Sequence, residues 1–355
     1  MTSRWAVAYR EGMLLPALRH PVVGAPMAGG VSTPALVAAV GEAGGLGQLA
    51  AGYLDVPTVA EQVAAVRSTT TAPFVVNVFV AETLDEATEG PAVAEFARRL
   101  APVAERLGAE VPHPRWDDTD HYAEKVDLLA DLAVPVVSFT FGCPSAADVD
   151  RLHAVGTVVV VTVTTPGEAA AAAAVEADAL CVQGHEAGGH RGVWDRRAEP
   201  SPLTHLDLLP LVRAVSDLPL VAAGAIASAD DTRAALAAGA VAVQVGTALL
   251  LADEAGTRPA HRRALAESGR RSTTTRSFSG RVGRGLTNTW TRELGDAPAT
   301  FPVVDQLTKP LRAAAGRADD AEHVNLWAGT AWRDARPGPA GDVVRRLSPV
   351  RVDLS

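Results

Sequence analysis

Two cysteines in 355 residues, Cys143 and Cys181, are too few for a disulfide framework, and they lack metal-ligand spacing. Both lie in or beside apolar, strand-like runs, which points to reduced, buried thiols in a cytoplasmic protein. No stretch of about 20 apolar residues free of charges or breakers occurs, so no membrane span is expected. Residues 1–16 have no apolar segment preceded by basic residues, the pattern of a signal peptide. Basic blocks are missing as well. With a net charge of -9 this argues against a general nucleic-acid binder, and the pairs Arg98-Arg99 and Arg262-Arg263 read as solvated helix faces. No dinucleotide fingerprint follows the first apolar run.

What the chain does have is rhythm. From about residue 22 to 250, short apolar β-branched runs alternate with alanine-rich helical patterns, the signature of a parallel α/β fold. The runs at 22–28, 45–50, 74–80, 136–141, 157–163, 179–183, 218–225 and 242–249 are eight candidate strands. Helical patterns fall at 33–43, 57–68, 146–154, 166–176, 204–216 and 229–238, with Ser32-Thr33-Pro34 and Thr165-Pro166 as helix starts. Eight units favour a closed (β/α)8 TIM barrel over an open doubly wound sheet. The third unit is interrupted by two further helical patterns, 92–107 and 122–132, joined by a polar stretch; this insertion is expected to overhang the barrel mouth. Beyond residue 252 the alternation stops, and residues 253–325 read as a smaller helical cap before the tail returns to the barrel.

In such a barrel, functional residues gather at the C-terminal ends of the strands and in the loops that follow. The first strand leads into Ala25-Pro-Met-Ala-Gly29, and the sixth opens into Gln183-Gly-His-Glu-Ala-Gly-Gly-His190. Glycines 188 and 189 permit backbone angles that other residues resist, and they let a flat ligand lie close to the main chain. His190 follows them and suits a base, because an unperturbed imidazole titrates at about 6.5. Asn77 and Gln183 are amides inside apolar strands and need partners, either a heteroaromatic ring or a side-chain network. Ala223-Gly224 and Gln244-Val-Gly246-Thr247 end the seventh and eighth strands, where barrels commonly bind phosphate.

These segments, with Ala43-Gly-Gly-Leu-Gly47, Asn77-Val-Phe79 and Phe278-Ser-Gly-Arg281, resemble the nitronate monooxygenase family, formerly called 2-nitropropane dioxygenases. The resemblance implies an FMN-binding TIM barrel formed by residues 1–252 and 326–355, with an insertion at about 81–135 and a substrate cap at 253–325. It implies that Met27, Asn77 and Gln183 contact the isoalloxazine, that Gly188, Gly224, Gly246 and Thr247 lie along the ribityl phosphate, and that His190 is the catalytic base. Ala25, Pro26, Ala28, Gly189, Ala223 and Gln244 complete the expected cofactor site, and Gly29, His185, Trp327 and Thr330 the expected substrate pocket. Thr330 stands where the family often has glutamine, and Glu186 is expected to organise the loop. The implied reaction is oxidation of alkyl nitronates, and of nitroalkanes, by O2 to a carbonyl compound and nitrite. An FMN-dependent NAD(P)H reductase of the enoyl-acyl-carrier-protein or quinone type, or an oxidoreductase of a specialised metabolite, fits the same motifs. The expected partners are a small-molecule substrate and O2, with the chain a monomer or a homodimer.

Overall fold

The computed structural model describes residues 18–267 and 269–349, so the reading of residues 1–16 lies outside the described residues. Eight parallel strands, β1 (Val22–Gly24), β2 (Gly47–Ala50), β3 (Phe74–Phe79), β4 (Val136–Thr140), β5 (Val158–Val163), β6 (Ala179–Gln183), β8 (Leu220–Ala223) and β9 (Ala242–Val245), form one sheet in the order β1-β9-β8-β6-β5-β4-β3-β2. The ring closes between β1 and β2, where Gly24 donates to the Leu46 carbonyl at 2.9 Å and Leu46 to that of Val22 at 3.0 Å. The TIM barrel expected from the alternating pattern is therefore the fold. β1 stops at Gly24, short of the expected run 22–28, because Pro26 has no N–H to continue a ladder. β9 likewise stops at Val245 and passes into a single 3-10 turn, Thr247–Leu249.

Helices α1 (Pro34–Glu42) and α2 (Val56–Thr69) follow the first two strands; α3 (Glu86–Leu107) and α4 (Tyr122–Asp131) fill the insertion. Then α5 (Ala146–Ala154), α6 (Pro166–Ala174), α7 (His205–Arg213) and α8 (Ala229–Ala237) complete the outer ring. Thr33 and Thr165 do start their helices, accepting from the amides of Leu36 at 3.0 Å and Glu168 at 3.2 Å, which satisfies donors that a helix end leaves open. The strands are buried on both faces, as parallel strands under helices must be, which is why β3 reads Phe-Val-Val-Asn-Val-Phe without alternation.

The insertion divides its loyalties. α4 packs its buried Val126 and Leu129 into the barrel's helix layer, whereas α3 turns Val93, Phe96, Leu100 and Val103, spaced at helical intervals, toward the cap. The segment expected as a helical cap holds α9 (Pro259–Ala266), α10 (Thr289–Glu293) and α11 (Val303–Arg317), but also β10 (Ser272–Thr275) and β11 (Gly283–Leu286). With β7 (Gly189–His190) they make a small antiparallel sheet, β10-β11-β7. The helical reading of this segment missed both strands because their threonines, glycines and arginines carry no apolar alternation. Trp290, Val303, Leu307 and Leu311 join Phe96 and Leu100 in a core separate from that of the barrel. The tail helix α12 (Ala340–Leu347) packs back on the barrel through Val343, Val344 and Leu347. Arg262 is not a solvated face residue: its guanidinium donates to the carbonyls of Leu251 at 2.8 Å and Ala252 at 3.0 Å.

Buried ion pairs bind insertion, mouth and cap together. Glu82, just past β3, pairs with Arg281 of the cap and Arg196 of the loop after β7, and Glu89 of α3 pairs with Arg196 at 2.5 Å and with Arg197. Arg281 is 1 % exposed and Arg196 7 %, so removing their carboxylate strands charge away from water. Glu82→Ala is therefore expected to lower the free energy of unfolding by about 3 kcal/mol, read as a shifted denaturation midpoint. A midpoint within error of the wild type would mean that the pairs do not hold the cap.

Candidate active site

The C-terminal ends of the strands open into a cavity of about 590 Å³ roofed by α11. Its wall includes Ala25, Pro26, Met27, Ala28, Gly29, Asn77, Gln183, Gly188, Gly189, His190, Ala223, Gly224, Gln244, Gly246, Thr247 and Trp327. Two of the expected pocket residues are elsewhere. His185 is outside the lining, half-exposed and 3.6 Å from Glu186, and Thr330 is exposed between the lining residues Gly329 and Ala331. Both point away because the main chain on either side is fixed: Thr330 donates to the Glu186 carbonyl at 3.0 Å and His185 to that of Leu203 at 2.9 Å.

His190 sits in β7 opposite Gly283 of β11, so the cap sheet sets its place. Its Nε2 lies 2.6 Å from the hydroxyl of Ser279, whose oxygen accepts from the Arg281 amide at 3.3 Å. Rings surround it, with centroids of Trp327 at 5.1 Å, Phe141 at 5.7 Å and Phe301 at 6.1 Å. Burial, and then the positive charges of Arg281 and Arg312, hold its pKa down to about 3 from the usual 6.5. The imidazole is neutral at any physiological pH.

The loop around it is braced from below. Gln183 Nε2 donates to the His190 carbonyl at 3.1 Å, and its Oε1 accepts from Gly192 at 2.8 Å. Arg191, fully buried, turns back to the carbonyls of Gly184 and Gln183, and Glu186 Oε1 lies 3.0 Å from His205 Nδ1. Glu186 is an organiser of the loop, as its sequence position suggested. Asn77 spends its amide hydrogens on Ser138 and Thr140, while its Oδ1 is buried without a partner. That orphan acceptor and the spare amide hydrogen of Gln183 fit the edge of a ring carrying an N–H and a carbonyl. Gly246 fits a close floor: a Cβ there would stand 3.3 Å from Ala25 Cβ and 3.6 Å from Met27 Sδ. Thr247 Oγ1 accepts from the Gly329 amide at 2.9 Å, tying the end of β9 to the Trp327 segment.

Several residues at the site had no assigned role in the sequence reading. Ser279, which lines the cavity, and Arg281 behind it lie in the quoted Phe278-Ser-Gly-Arg segment, but the lining residues Tyr53, Phe141, Lys309 and Arg312, and Phe301 beside His190, carried no signal, since each becomes part of the site only when distant segments meet. Both cysteines are free thiols, and burial pushes Cys181 up to about 12 and Cys143 to about 11.

Fold and site together define a TIM-barrel enzyme with a covered pocket and a neutral histidine at its mouth. The sequence signature of the nitronate monooxygenase family matches residues 13–349. A nitronate monooxygenase of Paraburkholderia phytofirmans is 38% identical over 346 residues, covering 94% of this chain and 93% of the relative. A probable nitronate monooxygenase of Staphylococcus aureus is 32% identical, covering 93% and 94%. Among solved structures, a nitroalkane oxidase from Streptomyces ansochromogenes superposes with a TM-score of 0.89 at 44% identity, covering 93% of this chain and 95% of that one. FabK from Thermotoga maritima shares the fold, with a TM-score of 0.73 at 23% identity. The chain belongs to the nitronate monooxygenase family and is an oxidoreductase.

The depressed pKa of His190 has a consequence for stability. Between about 6.5 and about 3 the unfolded chain binds a proton at this residue and the folded chain does not, so stability is lost as pH falls through that window. Replacing His190 by Asn should flatten the fall of unfolding free energy below pH 6.5 by up to about 1.4 kcal/mol per pH unit. Identical slopes in the two proteins would show that the histidine titrates normally.

Proposed function

We propose that the protein is an FMN-dependent oxidase converting alkyl nitronates and O2 to a carbonyl compound and nitrite, working on neutral nitroalkanes through His190. The observation that carries this is a half-buried, neutral histidine fixed over a cavity whose floor offers orphaned polar groups to a flat ring. Flavin mononucleotide would be held at its ring by Met27, Asn77 and Gln183 and along its phosphate by Gly188, Gly224, Gly246 and Thr247; bound there, it would supply electron transfer from substrate to O2. Ala25, Pro26, Ala28, Gly189, Ala223 and Gln244 line the same floor.

The chain's own part is positioning and proton handling. In the tautomer that donates Nε2–H to Ser279, the lone pair of His190 is on Nδ1, and that atom would take the acidic proton of a nitroalkane. An imidazole held at about 3 is a weak base while the cavity is empty of charge, and the developing nitronate beside it raises its proton affinity. A substrate already ionised needs no base, and for it the ring serves to orient. Phe141, Phe301 and Trp327 exclude water from this contact. The Streptomyces neighbour, named for nitroalkane oxidation, supports this substrate class. A small-molecule substrate and O2 suffice as partners, and a nicotinamide reductase is the competing reading.

His190→Asn should keep the flavin and lose about 100-fold or more in turnover of neutral nitroalkanes, with a smaller effect on preformed nitronates. Equal activity on both forms would remove the base assignment. Mixing the oxidised protein anaerobically with an alkyl nitronate is expected to bleach the flavin, whereas NADH or NADPH alone is not; rapid bleaching by a nicotinamide alone would establish the reductase instead.

A further inference from the structure

The interior of the barrel changes character with height. Leu46, Val75, Val136 and Val160 belong to an apolar layer, as the filled interior of such a barrel requires. Two residues further along each run, on the same inward face and nearer the mouth, stand Gln48, Asn77, Ser138 and Thr162, all of them buried. Polar side chains withdrawn from water must find partners, and these find one another. Gln48 donates to the Ser138 hydroxyl. Asn77 Nδ2 lies 2.9 Å from that same hydroxyl, 3.0 Å from Thr140 Oγ1 and 3.3 Å from the Ser138 carbonyl. Thr140 Oγ1 in turn lies 3.3 Å from Thr162 Oγ1.

This connected set decides which way Asn77 faces. A hydroxyl suits either end of an amide, because it both donates and accepts, whereas a carbonyl only accepts. The Ser138 carbonyl therefore demands the nitrogen on its side, and turning the amide over would set two acceptor oxygens against each other. With three acceptors around Nδ2, both amide hydrogens are engaged, and the group left over is Oδ1, buried and without a partner. The backbone leaves no more freedom than the side chain. Asn77 sits in β3 between β2 and β4, opposite Ala50 on one side and Ser138 on the other. Asn77, Thr140 and Thr162 all line the main cavity.

We propose that Ser138 and Thr140 are positioning residues that lock the Asn77 amide with its oxygen toward the cofactor ring, so that the site selects a ring edge carrying an N–H between two carbonyls. Resting on the function proposed above, that edge is the imide edge of the isoalloxazine. An unrestrained amide meets a donor or an acceptor equally well by turning over. An amide held by a carbonyl and two hydroxyls only accepts, so a ring methylated at the imide nitrogen leaves Oδ1 buried and unpaired, which costs more than the hydrogen bond was worth.

The full chain, freed of flavin, tests this with two probes, FMN and FMN methylated at the imide nitrogen. Dissociation constants are compared for the wild type, for Thr140→Val, which keeps the shape and removes the hydroxyl, for Thr140→Ser, which restores it, and for Ser138→Ala. The wild type is expected to prefer FMN over the methylated flavin by about 10- to 100-fold. Thr140→Val and Ser138→Ala are each expected to lose about 5- to 10-fold in affinity for FMN and nothing for the methylated flavin, so the preference shrinks. Thr140→Ser should return it to the wild-type value. In the reconstituted holoenzymes, the imide proton of isotope-labelled FMN, followed by NMR, should exchange with solvent faster in Thr140→Val than in the wild type. Equal weakening of both flavins would show general damage to the site and overturn the lock, as would an unchanged preference with an unchanged exchange rate. A wild type that binds FMN with a protected imide proton, and loses that protection in Thr140→Val, yet oxidises no nitronate would retire the reaction proposed above and leave the lock standing. A chain that binds neither flavin would overturn both.

Discussion

The mouth of the barrel depends on one close crossing of main chains. A Cβ on Gly188 would lie 2.4 Å from the Gly329 amide nitrogen and 2.7 Å from the Ala328 carbonyl carbon, so the loop after β6 and the Trp327 segment pass nearer than any side chain allows. Gly189 then takes a φ of 76°, and the chain turns into β7 to pair with β11. Without that crossing, the cap sheet has no third strand and His190 has no register. The surrounding hydrogen bonds secure the same crossing from other sides: Gly329 to Thr247, Thr330 to Glu186, and Arg284 to the His185 carbonyl at 2.9 Å.

The consequence is that His190 belongs to barrel and cap at once. Its strand end and its bracing amide, Gln183, come from the barrel, whereas its hydrogen-bond partner Ser279 and its neighbour Phe301 come from the cap. Arg281 joins the two kinds of control. It lies 4.1 Å over the Phe141 ring, is held by Glu82 of the insertion, and adds a positive charge to the burial that chiefly keeps His190 neutral. A structural ion pair, an aromatic wall and a proton affinity are therefore parts of one arrangement.

How much of this could be read beforehand varies with the range of the interactions involved. The eight strands were legible because burial on both faces leaves β-branched runs that local sequence displays, and the glycine-rich loop was legible because backbone demands select glycine wherever they occur. Sixteen of the expected site residues line one cavity, since strand ends are close in space once the barrel is given. The cap strands were missed because β10 pairs only with β11, and β11 is held by Gly189 and Trp327 on its other side, partners that neither strand's own pattern displays. His185 was expected in the pocket from its place within the loop motif and Thr330 from standing where the family often has glutamine, but neighbouring residues in an extended chain face opposite ways, and it is Gly329 and Ala331 that line the cavity.

Tyr53, Phe141 and Phe301 illustrate why the remainder had no local trace. Each is a single aromatic residue in a different unit, after β2, after β4 and in the cap, and they form a continuous wall with Phe79 only because insertion and cap share a core. The same packing that stabilises the cap, α3 against α11, thus sets the spacing between the roof residues Lys309 and Arg312 and the floor. Substitutions deep in that core, far from any ligand, shift the roof relative to His190, because packed interiors transmit displacement rather than absorb it. Differences in substrate preference within this fold are therefore to be sought in the α3–α11 contact as much as in the residues that touch the substrate.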